Sequence, residues 1–160
     1  VKRGRKPKYE PFGPLPYIDR AEVDKVKVKL AVPTECPYCK GPVELVTEYQ
    51  AFDRTTVNWP YVYRCKPCDA HTWLHPHTHL PLGTLAHERL RTSRELAEKN
   101  FKRMYIVWGD KPQHAYKWLS KALGIPLKDC DFNLFTGAQC GEAERLCELR
   151  LQGSIPEGRA

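Results

Sequence analysis

Apolar residues recur along this chain with two periods, and the change from one to the other divides it. Val26, Val28, Leu30 and Val32 alternate with Lys27, Lys29 and Ala31, which predicts a half-buried strand ended by Pro33. Val43 to Tyr49 and Trp59 to Arg64 are aromatic and β-branched stretches, read as the two arms of a β-hairpin. A polar loop around Asp53-Arg54-Thr55 joins them, and Pro60 marks a start or bulge in the second arm. Ala70 to His75 reads as one more strand, and Pro76 to Gly83 as a turn-rich connector.

From Thr84 the period lengthens. Leu85, Ala86, Leu90, Ala97, Phe101 and Met104 form one stripe of a helix expected over about Thr84 to Arg103. Asp110-Lys111-Pro112-Gln113 reads as an N-cap with a capping box, followed by a stripe of Ala115, Tyr116, Leu119, Ala122 and Leu123. Gly124 and Pro126 end that helix. Thr136-Gly137-Ala138-Gln139 repeats the capping pattern, and the last helix runs to about Leu151 with Cys140, Ala143, Cys147 and Leu151 on one side. The expected fold class is α+β: a β-hairpin between the cysteine pairs Cys36/Cys39 and Cys65/Cys68, hence zinc-ribbon-like, with a short sheet, then about three helices. The expected divisions are an extended arm over 1–20, a β domain over 21–83, helices packed on it over 84–152, and a tail over 153–160.

The hairpin arms connect two matching cysteine pairs, Cys36-Pro37-Tyr38-Cys39 and Cys65-Lys66-Pro67-Cys68. Two residues between paired cysteines let both sulfurs of a tight turn face one cation, and two such turns supply a tetrahedral thiolate shell. Unrelated thiols or two disulfides are the alternatives. Pro and Gly beside the first pair favour the knuckle turn, so one Zn²⁺ per chain is expected on Cys36, Cys39, Cys65 and Cys68. Closed four-cysteine sites are structural, with no open position for substrate.

Charge changes the picture at one end. Lys2, Arg3, Arg5, Lys6 and Lys8 take five of the 26 basic side chains into residues 1–8, which hold no acid; 21 basic residues then face 19 acidic ones elsewhere. The body is nearly neutral and the polyanion signal sits in the arm. Helix residues Arg89, Arg91, Arg94, Lys99, Lys102 and Arg103 are balanced in part by Glu88, Glu95 and Glu98, and read as a solvated face. No apolar run approaches the roughly 18 residues of a membrane span. Cys130, Cys140 and Cys147 are an odd remainder that fits reduced thiols, so a cytoplasmic setting is expected.

Lys2-Arg3-Gly4-Arg5-Lys6-Pro7-Lys8 resembles an AT-hook, with Lys6 separating Arg5 from the proline. Gly4 lets the backbone approach a groove floor, the flanking arginines suit the negative potential of a narrow A·T minor groove, and Pro7 keeps the exit extended. The same run also suits nucleic acid without sequence preference. Lys40, Arg64 and Lys66 lie beside the cysteines and are further candidates for phosphate. His71, His75, His77 and His79, with His87 beyond, would place alternate imidazoles on one side of an extended chain. No carboxylate completes a hydrolytic site there, so hydrogen-bonding histidines are the favoured reading.

From Cys36 to about Leu149 the chain resembles a small family of zinc-finger-containing proteins of bacteria and their phages. The resemblance is carried by both cysteine pairs, His75-Pro76 with Thr78, Pro81 to Ala86, Ala115 to Leu119, and a segment around Cys130 to Cys140. Where that family has a His-Ile-Gly-like stretch, this chain reads Asp131-Phe132-Asn133, so no histidine role carries over. The resemblance implies a zinc domain followed by helices, and a mobile-element context. It supplies no activity. The expected function is non-enzymatic binding of nucleic acid, DNA before RNA, through the basic arm. A protein-binding module, such as a phage-encoded inhibitor or part of a nucleoprotein assembly, is the second expectation, and a metal-dependent nuclease the third.

Overall fold

A computed structural model describes residues 12–153. The run Lys2 to Lys8 lies outside the described residues. The fold is α+β, and the chain divides into two compact units between His87 and Glu88.

In the first unit Asp19 caps α1 (Arg20–Lys25), its Oδ1 accepting from the Ala21 amide at 2.9 Å. The chain leading into α1 is not the extended arm expected up to residue 20. Leu15 and Ile18 are buried with Trp59, Tyr63 and Leu74, and Phe12 and Tyr17 pack against them. Four apolar side chains within seven residues stabilise more when covered than when exposed, which draws this segment into the core.

A three-stranded antiparallel sheet follows: β1 (Val43–Thr47), β2 (Tyr61–Cys65) and β3 (His71–Trp73), in the order β1-β2-β3. Val43 lies opposite Cys65 and Thr47 opposite Tyr61, while Arg64 faces His71 across the second ladder. The loop expected between the hairpin arms starts as a helical turn, α2 (Glu48–Phe52). Thr47 and Gln50 exchange a capping box, with Thr47 Oγ1 accepting from the Gln50 amide at 3.1 Å. Glu48 is fully buried. It accepts from the Thr56 amide at 2.8 Å and from Thr56 Oγ1 at 2.6 Å, so the polar loop folds back over a carboxylate.

Val26 to Val32 does not form the expected strand. The alternation survives in burial, with Val26, Val28, Leu30 and Val32 half-buried and Lys27 and Lys29 exposed, but no ladder is made. Any extended chain lying on a surface shows this period, whether or not its backbone is paired.

The second unit holds α3 (Glu88–Trp108), α4 (Pro112–Leu123), a 3-10 turn (Leu127–Asp129) and α5 (Gly137–Leu151). Ala97, Phe101, Met104, Ala115, Leu119, Phe132, Phe135, Cys140, Ala143 and Cys147 form its core. The first of these helices starts four residues later than Thr84, because Leu85 and Ala86 are used by the first unit, where Ala86 and His71 exchange backbone hydrogen bonds. Thr136 caps α5 with the expected box, accepting from the Gln139 amide at 3.2 Å. Gly124 ends α4 at a φ of 67°.

Asp110, expected as the cap of α4, does something else. Lys111 holds the N-cap position without a side-chain bond, and Asp110 lies 2.9 Å from Arg150 Nη2. The Arg150 guanidinium lies between the rings of Trp108 and Trp118, at 5.1 and 4.6 Å from their centroids. One cation thereby ties all three helices of this unit. Among the described residues no helix is long and apolar enough to cross a membrane.

Candidate metal centre

Each cysteine pair sits on a turn that the backbone closes. The Cys36 amide donates to Gly41 O at 2.9 Å, the Lys40 amide donates to Cys36 O at 3.0 Å, and the Gly41 amide points at Cys39 Sγ at 3.4 Å. In the second turn Cys65 donates to Ala70 O at 2.8 Å. The two turns are joined by Lys66, whose amide donates to Pro42 O at 3.0 Å, and by the pairing of Val43 with Cys65. Register therefore sets one knuckle against the other, as expected of a hairpin joining the pairs.

The sulfurs converge. Cys39 and Cys65 Sγ are 3.3 Å apart, Cys36 and Cys68 Sγ are 3.7 Å apart, and all four lie within 4.8 Å of one another. Zinc bound tetrahedrally at about 2.3 Å would space its sulfurs about 3.8 Å apart. The two pair distances lie within about 0.5 Å of that value and far from the bond length of a disulfide, about 2.05 Å. All four thiols are free. Cys36 and Cys65 are buried with Ala70 and Leu85, and Cys39 is exposed. Burial opposes ionisation of Cys36, but the amides of Cys39 and Tyr38 and the neighbouring sulfurs outweigh it and bring the thiol down to about 7. Burial pushes Cys65 up to about 12. A divalent ion among them would supply the charge that makes thiolates of both.

The knuckles touch through a contact that spacing alone does not reveal. A Cβ placed on Gly41 would lie 2.5 Å from Pro67 Cγ, 2.7 Å from Pro67 Cδ and 3.2 Å from Cys39 Sγ. Glycine is needed here for close approach of the two turns. Tyr38 adds a brace, its hydroxyl donating to Leu85 O at 2.9 Å while its ring meets His87 at 4.5 Å.

A family model described as a zinc-finger-containing domain matches residues 32–149. The chain belongs to this family. Its match begins after α1 and takes in all four cysteines, the sheet, and the helices of the second unit into α5. Family and sulfur geometry agree on one zinc ion per chain, held by Cys36, Cys39, Cys65 and Cys68. No curated protein and no solved structure matches the chain.

The other expected site residues fare differently in this zinc-finger-family chain. Lys40 and Lys66 are exposed, one on each knuckle, and Lys40 lies at the 4.0 Å limit of contact with Glu35. Arg64 is engaged within the sheet, its Nε donating to Glu44 Oε1 at 3.0 Å and its Nη1 to Gln50 O at 3.2 Å. Lys2, Arg3, Gly4, Arg5, Lys6, Pro7 and Lys8 fall outside the described residues. The histidines do not converge. Residues 75–80 turn rather than extend, with His77 at a φ of 61° and Thr78 Oγ1 donating to His75 O. His77 Nδ1 meets the Tyr17 hydroxyl at 2.6 Å, and His79 lies against Phe12 with its pKa lowered by burial. Among the described residues the four cysteines are the one group of three or more potential metal ligands.

Proposed function

We propose that this protein is a non-enzymatic, zinc-stapled binder of nucleic acid, with DNA the favoured polymer. The observation that carries the reading is the placement of Lys40 and Lys66, exposed on opposite knuckles of one sulfur cage. A four-thiolate zinc shell carries a net charge of about −2. Exposed lysines beside it would offset that charge and have hydrogen-bonding capacity for phosphate. The five basic residues of the run 1–8 add a second positive element, whose glycine and proline suit a narrow groove. A shell already filled by four thiolates leaves no position for a substrate, which supports a structural rather than catalytic metal. The resemblance to proteins of bacteria and their phages supports a mobile-element setting, in the cytoplasm of the host.

The test is binding of a fluorescent duplex measured against salt. Deleting residues 1–8 should collapse the affinity and most of its salt dependence, with a smaller loss for Lys40→Gln together with Lys66→Gln. Equal binding by the truncated and full chains would refute the reading. A protein-binding role is the second reading, favoured by Tyr38 and Tyr49, which are 43% and 62% exposed although aromatic. A partner retained from a lysate after nuclease treatment would favour it.

A further inference from the structure

The longest stretch of uncompensated positive charge among the described residues is far in sequence from the metal. From Lys111 to Lys128 the chain contains Lys111, Lys117, Lys121, Lys128 and His114, and no Asp or Glu. All five side chains are exposed. Of the acids that flank this stretch, Asp110 is paired with Arg150, while Asp129 directly follows Lys128. None of the four lysines forms an ion pair among the described residues. The contrast with α3 is direct, because there Lys102 pairs with Glu98 at 2.9 Å and Arg94 donates to Phe135 O.

Helical geometry aligns the charges. At about 100° per residue, His114, Lys117 and Lys121 fall within an arc of about 60° on α4 and span about 10 Å along its axis. The opposite side of the helix, Ala115 and Leu119, is buried in the core. This face is therefore held rigidly by packing and is not a mobile basic segment. Lys128 is also exposed, on the 3-10 turn that follows α4.

We infer that the exposed face of α4, with Lys128, is a contact surface for the phosphate backbone of duplex DNA. The inference rests on the proposed function and adds a surface in the second unit that is separate from the arm and the knuckles. Charge complementarity selects the occupant. Duplex DNA carries one negative charge per roughly 1.7 Å of axis, so ammonium groups as close as Lys117 and Lys121, about 6 Å apart along the helix axis, can meet more than one phosphate at once. Lysine suits this task as a point charge that needs no fixed base edge. The surface is thus expected to add affinity with little sequence preference.

The test uses the full chain with zinc bound, a fluorescent duplex, and titrations across a series of salt concentrations. Lys117→Gln, Lys121→Gln and Lys128→Gln are combined in one variant, with the matching Lys→Arg set as a control that keeps charge. Removing one lysine–phosphate pair lowers the slope of log affinity against log salt by about one. The Gln set should therefore flatten the slope by roughly two to three and weaken binding to different duplex sequences about equally. The Arg set should retain the parent slope, and circular dichroism melting should match for all three chains. A parent-like slope in a folded Gln variant overturns this inference while leaving the arm-based reading intact. Binding abolished in the Gln set and not retained in the Arg set also overturns it, since charge is then not the cause. If the parent chain binds no duplex even at low salt, the proposed function falls and this surface with it. Retention of an acidic protein rather than DNA by the parent, but not by the Gln set, assigns the face to a different partner and overturns the inference.

Discussion

Replacing Gly41 by alanine tests whether the two knuckles depend on close approach. The added Cβ would stand 2.5 and 2.7 Å from two ring carbons of Pro67, and 3.2 Å from Cys39 Sγ. Carbon atoms settle at about 3.5–4.0 Å, so the overlap is about 1 Å on two contacts. A proline ring has no rotamer through which to withdraw, and its backbone carries Cys68, so relief must move a ligand turn. Overpacking of this kind costs about 1–3 kcal/mol. The strain is borne by the turns that define the sulfur cage, so it should appear as weaker zinc binding, roughly 5- to 150-fold. Competition against a chromophoric chelator reads that change directly. Pro67→Ala in the same chain removes the obstructing ring and should restore most of the affinity. Their coupling energy in a double-mutant cycle isolates the contact. Parent-like zinc affinity in Gly41→Ala, or a weakening that Pro67→Ala leaves untouched, would show that the knuckles do not touch through this pair.

Two further outcomes are expected. A strong chelator, or Cys65→Ser, should unfold the β-sheet unit while the helical signal of α3 to α5 persists; structural zinc contributes about 10–16 kcal/mol in zinc-finger peptides, comparable to the whole stability of a domain of about 5–15 kcal/mol. Unchanged melting in the chelator would show that no metal supports the fold. Glu48 should make the chain acid-sensitive in a separable way. Burial opposes its charge, but hydrogen bonds from Thr56 and Val57 and the Arg54 charge prevail and hold its carboxyl below the ordinary carboxylate value. A lowered folded pKa means that the stabilisation is complete above the unfolded value of about 4.3 and disappears as pH falls through the lower folded value. Thiolate protonation also releases zinc in acid, so the informative quantity is a difference between chains. Glu48→Gln should be less stable than the parent near neutrality and should converge with it in acid, whereas a constant gap in melting would contradict the assignment.

The metal centre was legible because its chemistry is local: two residues between cysteines and a β-rich connection are enough to bring four sulfurs together. The helices were legible for the same reason, since Thr136 with Gln139 and Gly124 are short-range signals that the structure uses as read. The misreadings arose where a residue's partner is remote. Asp110 has the look of a cap, but Arg150 competes for its carboxylate across the unit. Leu85 and Ala86 fit a helical stripe, yet one is buried beside the cysteines and the other bonds to His71. The alternation of Val26 to Val32 reports burial and not pairing. Asp19 before α1 and Thr47 with Gln50 before α2 are equally local signals, each marking a short helix that the apolar pattern alone does not reveal. The burial of Glu48 had no such signal, because its hydrogen-bonding partners lie eight and nine residues away.

The sorting of sulfur between the two units has a consequence for how the chain survives oxidants and foreign metals. Cys130, Cys140 and Cys147 lie in hydrocarbon, and burial pushes Cys130 up to about 11 and Cys147 to about 12. They stay protonated, poor at attacking a disulfide and poor at capturing an ion. Thiol-directed electrophiles and competing cations are left, among the cysteines, with the knuckles, where bound zinc would take one lone pair of each sulfur and leave the others open to attack. Damage to this protein should therefore begin as demetallation and proceed one sulfur at a time, with the helical unit the last to register it.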